Sequence, residues 1–127
     1  MAKLNLPPMS AHQLSEKLGE SYFYRQKIYR LFENGLILAR KGQNGQLLFN
    51  PSEMLDFFEK NLRKRLKEMN VLQNFRFDYS LENKEINVSW DGHDVQVGTD
   101  QETETDLIGK ILKEQGKFLD LPKFKWG

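Results

Sequence analysis

The stretch NGLILARKGQNGQLLFNP, residues 34–51, decides how this chain folds. Asn34-Gly35 is a typical helix end, because both residues accept the backbone conformation that follows a last helical turn. Two mostly apolar runs follow, and Asn44-Gly45 between them tolerates the positive φ angles of a tight hairpin turn. Asn50-Pro51 then offers an N-cap and a first helical residue. The stretch therefore predicts a β-hairpin between two helices.

The residues before this stretch predict two short helices. Ser10 is a plausible N-cap for a helix that runs through Leu18 and ends at Gly19. A second helix is predicted over residues 21–33. The third and longest helix follows the hairpin and carries one apolar stripe at helical spacing: Met54, Leu55, Phe58, Leu62, Leu66 and Met69.

From Phe75 onward the hydrophobic period changes to two. Alternating apolar residues over 75–81, 86–90 and 95–97, separated by turn residues, predict a three-stranded meander. Thr99 with Glu102 resembles a capping box for a last helix. The apolar stripe of that helix ends before Gly116, and we expect the helix to cover the sheet.

The order helix, turn, helix, hairpin, helix in residues 10–69 resembles the DNA-binding domain of the MerR family and its excisionase-like relatives. Glu33-Asn34-Gly35-Leu36-Ile37 looks like the family's Gly-Leu joint between second helix and wing. Basic residues, a glycine turn, Phe49 and a helix opening at Pro51 follow in the same order. The resemblance implies an N-terminal winged helix-turn-helix that binds DNA. The family's long dimerising helix and effector-binding region have no counterpart here.

The expected fold class is α+β, in two parts. Residues 1–72 form the winged helix-turn-helix, and residues 73–127 form a small antiparallel meander with one covering helix and an apolar tail, which serves assembly or partner binding. The tail residues expected to contact a partner or a sister subunit are Phe118, Leu121, Phe124 and Trp126.

Charge is divided unevenly between these parts. Residues 1–72 carry 12 Lys/Arg against 7 Asp/Glu, and residues 73–127 carry 7 against 11. A basic first half suits a polyanion, although a chain with 29% charged residues can show such a difference by chance. With 39% hydrophobic residues the chain has enough apolar material for a core.

The second helix carries the residues expected to read DNA. With Ile28 as the buried centre, near Tyr24, Leu31 and Phe32, the opposite face presents Gln26, Tyr29 and Arg30, flanked by Arg25 and Lys27. Arg can bond guanine and Gln adenine in the major groove, which admits a helix. The alternative is an ordinary solvated helix face.

Two further groups are candidates for phosphate contact. Arg40, Lys41 and Asn44 on the hairpin could reach phosphates or a narrow minor groove. Arg63 and Lys64, in a basic cluster with Arg65 and Lys67, rank second, because basic residues also favour helix C-termini. The apolar stripe of the third helix could extend into a dimer seam.

Other classes of function have little support. There are no cysteines and two histidines, which excludes thiolate metal sites and disulfides. Asp91-Gly92-His93-Asp94 could suggest metal or acid-base chemistry, but these are ordinary turn residues without a second histidine nearby. We therefore expect no catalytic residues, no metal and no cofactor. No apolar run approaches the length of a membrane span, and the start lacks a secretion signal, so the cytoplasm is the expected location.

The function expected from the sequence is sequence-specific binding of double-stranded DNA by a homodimer, as a transcription regulator or a phage or plasmid maintenance factor. The alternative is a protein-interaction adaptor or inhibitor that uses the winged helix as a scaffold and contacts its partner through residues 73–127.

Overall fold

A computed structural model describes residues 5–116 of the chain. Within that range the fold is α+β, as predicted, with four helices and two antiparallel sheets. In chain order the elements are α1 (Ala11–Leu18), α2 (Arg25–Glu33), β1 (Arg40–Lys41), β2 (Leu47–Leu48), α3 (Pro51–Glu68), β3 (Arg76–Ser80), β4 (Glu85–Trp90), β5 (His93–Gly98) and α4 (Glu104–Glu114). β1 pairs with β2, and the second sheet has the order β3-β4-β5.

Both ends of α1 are those that the sequence predicts. The Ser10 side chain accepts a hydrogen bond from the Gln13 backbone N–H, and the Gln13 side chain accepts one from the Ser10 backbone N–H. This reciprocal capping box satisfies two N–H groups that a helix start leaves without partners. Gly19 ends the helix with a φ of 118°, a conformation that residues with a Cβ rarely adopt.

The predicted start of α2 at residue 21 is wrong, because the residues after Gly19 bond to a distant segment. The backbone N–H groups of Ser21 and Tyr22 both donate to the Thr99 carbonyl oxygen, at 3.0 and 2.9 Å. Tyr24 is extended, with φ −74° and ψ 151°, so the helix begins at Arg25. Tyr24 is also 37% exposed, and the prediction that it lies near the buried centre of the helix is wrong.

The hairpin is present, although its strands are only two residues long. Arg40 pairs with Leu48 and Lys41 with Leu47, and Gly45 takes the positive φ expected at the turn. The apolar residues 36–39 before β1 are not part of that strand. The Leu36 N–H donates to the Leu31 carbonyl oxygen and so closes the end of α2. An additional antiparallel bridge joins Met9 to Phe49.

α3 begins as predicted, with the Asn50 side chain accepting from the Ser52 and Glu53 N–H groups. Five residues of its predicted apolar stripe are buried: Met54, Leu55, Phe58, Leu62 and Leu66. The sixth, Met69, is 42% exposed, so its assignment to the stripe is wrong. Met69 is the C-cap and follows the last helical residue. Helical spacing beyond that point no longer predicts which side chains face the core.

The second half forms the predicted meander, with α4 packed against β5. Phe77, Val88 and Val95 lie side by side across the three strands and point into the core. The predicted capping box of Thr99 and Glu102 is wrong. The box is formed instead by Thr103 and Asp106, while the fully buried Thr99 hydroxyl donates to the Leu18 carbonyl.

One cluster of buried residues includes members from both halves of the chain. Leu18 and Ile28 belong to it, and so do Val88 and Ile111. The Tyr79 hydroxyl also donates to the Leu18 carbonyl oxygen, at 2.8 Å. The division between residues 72 and 73 stays a prediction, but the two segments share buried contacts. Among residues 5–116, no helix has the length and apolarity needed to cross a membrane.

The close approach of Gly19 to Thr99 predicts a large effect of a single methyl group. A Cβ at Gly19 would lie 2.1 Å from the Thr99 Oγ1 and 2.5 Å from its backbone carbon. At Gly35, where φ is also positive, a Cβ would meet nothing within 4 Å. We expect Gly35→Ala to lower the free energy of unfolding by about 1 kcal/mol, and Gly19→Ala by about 3 kcal/mol or more, because overpacking is added. Urea denaturation measures both. Equal losses would show that the contact with Thr99 is unimportant.

The buried tyrosines predict a loss of stability at alkaline pH. Burial raises the pKa of Tyr79 from about 10 to about 12, and burial also raises the pKa of Tyr22. As the pH rises, the phenols therefore lose their protons in the unfolded chain before they do so in the folded chain. The contribution of the two buried phenols to the free energy of unfolding is complete below pH 10 and falls as the pH rises toward 12. For Tyr79 the resulting decrease in the free energy of unfolding should reach about 2 kcal/mol near pH 11.5.

Urea midpoints of the wild-type chain and of Tyr79→Phe, each measured near pH 9 and pH 11.5, check this expectation. The variant should lose less stability than the wild type between the two pH values, because it has one fewer buried phenol to ionise. An identical loss in both proteins would contradict it.

Candidate nucleic-acid interface

One face of α2 points to solvent and carries four of the predicted DNA-contacting residues. Arg25, Gln26, Tyr29 and Arg30 are exposed, whereas Ile28 on the opposite face is fully buried. Within residues 5–116, neither arginine forms an ion pair. Their guanidinium groups are therefore available to an external acceptor.

Aromatic contacts hold this face beside the hairpin. The Tyr29 ring lies 6.2 Å from the Phe49 ring, and the Phe32 ring lies 5.9 Å from it, both edge to face. Phe49 directly follows β2 and is also bonded through its backbone to Met9. The position of α2 relative to the base of the hairpin is thus determined by packed rings rather than by a flexible connection.

The hairpin itself presents Arg40, Lys41 and Asn44, all of which are exposed. The same seven ion pairs of residues 5–116 include neither of the two cations. Because successive side chains of a strand point to opposite faces, Arg40 and Lys41 lie on different sides of the ribbon. They therefore do not share one contact direction, which the sequence alone did not lead us to expect.

Lys27 does not flank the exposed face as predicted. Its side chain is 18% exposed, and its Nζ lies 4.4 Å from the Phe58 ring centroid and 3.9 Å from the Glu104 Oε1. The burial that accompanies these contacts lowers the pKa of Lys27. The correction follows from the late start of α2, which leaves Lys27 in the first turn, directed toward α4.

The two candidates on α3 differ in their surroundings. Arg63 bonds to Glu59 and to the Phe75 carbonyl oxygen, and its guanidinium carbon lies 4.2 Å from the Phe75 ring centroid. Lys64 is exposed and takes part in none of the ion pairs of residues 5–116. Lys64 is therefore the freer of the two, while Arg63 connects α3 to the segment before β3.

Sequence reasoning missed an ion cluster that joins three helices. Glu104 at the start of α4 is 8% exposed, and its carboxylate accepts from Arg65 of α3 at 2.8 Å and from Asn61 at 3.3 Å. Lys27 of α2 completes the cluster. No local pattern reveals it, because these partners lie 39 or more residues from Glu104.

The histidine of the Asp91–Asp94 turn lies beside a carboxylate and an aromatic ring. His93 Nδ1 lies 3.1 Å from the Glu114 Oε2, and its ring stacks on Trp90 at 5.5 Å. Across the described part of the chain, no group of three or more His, Cys, Asp or Glu side chains is arranged to hold a metal ion. Phe118, Leu121, Phe124 and Trp126, the predicted contact residues of the tail, lie outside the described residues.

Comparisons of this chain with known protein families, with curated proteins and with solved structures give no match. The interpretation of the α2 face therefore depends on its own geometry.

The ion cluster predicts that Glu104 is important for stability. Glu104→Gln removes the carboxylate that Arg65 and Lys27 share, and should lower the free energy of unfolding by about 1–3 kcal/mol. Glu114→Gln is the matched control, because the Glu114 side chain is 42% exposed, and should change it by less than about 0.5 kcal/mol. Chemical denaturation at neutral pH measures both, and equal effects would contradict a special role for Glu104.

Proposed function

We propose that this chain binds double-stranded DNA sequence-specifically, with α2 as the reading helix. The single observation that supports this proposal is that Gln26, Tyr29 and Arg30 point outward together beside the exposed basic hairpin, where Arg30, Arg40 and Lys41 form no ion pair with any residue of 5–116. In this interpretation residues 10–69 act as a winged helix-turn-helix of the MerR-like and excisionase-like kind, with the hairpin as the wing.

α2 meets the physical requirements of a reading helix. The major groove is wide enough for an α-helix. Gln26 and Arg30 are four residues apart and so lie one turn apart on the same face. Arg30 would bond guanine and Gln26 adenine, each with two hydrogen bonds, while Tyr29 would contact the backbone or a base edge. Arg25, at the start of the helix, would contact a phosphate.

The hairpin and α3 would supply contacts that do not depend on sequence. Arg40 or Lys41, with Asn44 at the tip, would reach phosphates or the minor groove. Because Arg40 and Lys41 lie on opposite faces of the ribbon, we propose that one of them contacts the minor groove and that the other contacts a flanking phosphate. Lys64 would extend the phosphate contacts. The excess of basic residues in the first half of the chain favours this partner.

The biological setting that we propose is transcription regulation or the maintenance of a phage or plasmid, in the cytoplasm. A homodimer would place two copies of α2 on successive half-sites of one DNA face. The second half of the chain would then serve assembly or contact with another protein.

A second candidate function is that of a protein-interaction adaptor or inhibitor. Two observations favour it: Leu36 and Leu38, between α2 and the hairpin, are 54% and 71% exposed, and residues 73–127 are acidic overall. Isolated exposed leucines are common on protein surfaces, so this function ranks below DNA binding.

The test is DNA binding by the full-length chain, since the two halves share buried contacts. A preferred duplex is first selected from a random pool, and its affinity is then measured by fluorescence anisotropy. Arg30→Ala should weaken binding to the selected duplex by about 1–3 kcal/mol and reduce discrimination at one base pair. Lys41→Ala should weaken binding to all duplexes alike and lower the salt slope by about 1.

Lys113→Ala is the matched control, because Lys113 is an exposed cation in the last turn of α4 and is not among the residues proposed to contact DNA. It should leave both affinity and salt slope unchanged. If no duplex is enriched, or if all three variants weaken binding equally, DNA recognition by α2 is refuted and the adaptor function becomes the better explanation.

A further inference from the structure

The two outer strands of the second sheet, β3 and β5, have different surroundings at their outer edges. The edge of β5 is covered by side chains. The Gly98 N–H donates to the Glu102 Oε1 at 3.0 Å, and the Gln96 carbonyl oxygen accepts from the Lys110 Nζ at 2.9 Å. Lys110 and Glu102 also form an ion pair at 2.7 Å, and α4 packs against this strand. A further strand would pair with β5 only by displacing these side chains.

The backbone groups on the outer edge of β3 are those of Phe77 and Tyr79. The Thr99 N–H donates to the Lys84 carbonyl oxygen, which makes these two residues a hydrogen-bonded pair of β5 and β4. In antiparallel sheets such pairs alternate with pairs that are not hydrogen-bonded. Along the observed register, the backbone groups of Asp78 therefore point toward β4, whereas those of its two neighbours point away from it.

This edge of β3 is open in the part of the chain that the structure describes. Among residues 5–116, β4 is the only strand that pairs with β3. No hydrogen bond within that range uses the backbone N–H or carbonyl group of Phe77 or Tyr79. The Phe77 side chain is buried in the core, so it does not obstruct the edge. An open edge of this kind pairs readily with another strand.

The exposed side chains of β3 show which strand would fit. Arg76 and Asp78 lie on the same face of the strand, two residues apart, and are 78% and 58% exposed. Within residues 5–116 the only ion pair of either side chain is the one between them, at 3.1 Å. If two copies of β3 pair antiparallel with Phe77 opposite Phe77, Arg76 of each copy lies opposite Asp78 of the other. The strand is therefore complementary in charge to a second copy of itself.

Charge also distinguishes this register from the neighbouring one. A register with Phe77 opposite Tyr79 uses the same backbone groups, but it places Asp78 of one copy opposite Asp78 of the other. Like charges directly opposite each other destabilise a strand pair, whereas opposite charges stabilise it. The register centred on Phe77 is therefore favoured.

We propose that two copies of this chain pair antiparallel through their β3 edges, with a two-fold axis beside Phe77, to form one continuous six-stranded sheet. Phe77 would exchange two hydrogen bonds with Phe77 of the other copy, and Tyr79 would pair with Phe75. Arg76 and Asp78 would form two ion pairs across the axis. Because each strand is short, we expect a dissociation constant of about 1–100 µM. The pairing does not depend on DNA binding, and its failure would leave the proposed role of α2 unchanged.

The first measurement is sedimentation equilibrium of the full-length chain at concentrations from about 1 to 500 µM. The average mass should rise with concentration from 15.0 kDa toward twice that value. A monomeric mass at all concentrations would overturn the proposal and would favour a strand of a different protein as the partner of this edge.

Charge reversal tests the register. Arg76→Asp and Asp78→Arg each place like charges opposite each other on both sides of the axis, and each should weaken the dimer by about tenfold or more. The double variant Arg76→Asp/Asp78→Arg should dimerise like the wild type. An equimolar mixture of the two single variants should also dimerise, because each provides the charge that the other lacks. Both side chains are largely exposed, so we expect the variants to fold.

Amide hydrogen exchange locates the interface. The Phe77 and Tyr79 amides should exchange at least about tenfold more slowly in the wild type than in Arg76→Asp at the same high concentration, because only paired strands provide acceptors for them. Lys113→Asp is the control, since it reverses an exposed charge on α4, and it should change neither mass nor exchange. Single variants that dimerise as tightly as the wild type, or a mixture of them that stays monomeric, would overturn the proposal.

Discussion

The hydrogen bonds between Thr99 and the turn that separates α1 from α2 determine the arrangement of the N-terminal half. The Thr99 hydroxyl donates to the Leu18 carbonyl, and its own carbonyl accepts from Ser21 and Tyr22. Thr99, the residue that follows β5, thereby provides hydrogen-bond partners for backbone groups between the end of α1 and the start of α2. Gly19 makes the approach possible, because it has no Cβ to meet Thr99. The direction in which the chain enters α2 is determined here.

The position of the exposed face follows from this constraint. α2 begins at Arg25, its buried side is held by Ile28, and its far end is held by the ring of Phe32 against Phe49. A helix fixed at both ends presents its outward side chains in one orientation relative to the hairpin. Less conformational freedom is then lost when a partner binds, which is the advantage of a preorganised interface.

The basic residues predicted to contact DNA, together with Arg65, fall into two groups with different physical roles. Lys27, Arg63 and Arg65 have acceptors or aromatic rings of the protein around them and connect helices to neighbouring segments. Arg25, Arg30, Arg40, Lys41 and Lys64 are exposed. Composition counts both groups alike, although only the second group can meet a phosphate without breaking internal contacts. The basic excess of this half is therefore partly a feature of internal packing.

The sequence by itself determined the features that depend on neighbouring residues. The caps at Ser10 and Asn50, the turn at Gly45 and the alternation in β3, β4 and β5 are all confirmed, because each depends on side chains and backbone within a few positions. The exposed face of α2 was predictable for the same reason, since helical periodicity around Ile28 is local. Only the tertiary structure decided the start of α2, the role of Thr99 and the position of Lys27. Their partners lie between 77 and 81 residues away, and contacts over such separations leave no periodic trace in the chain.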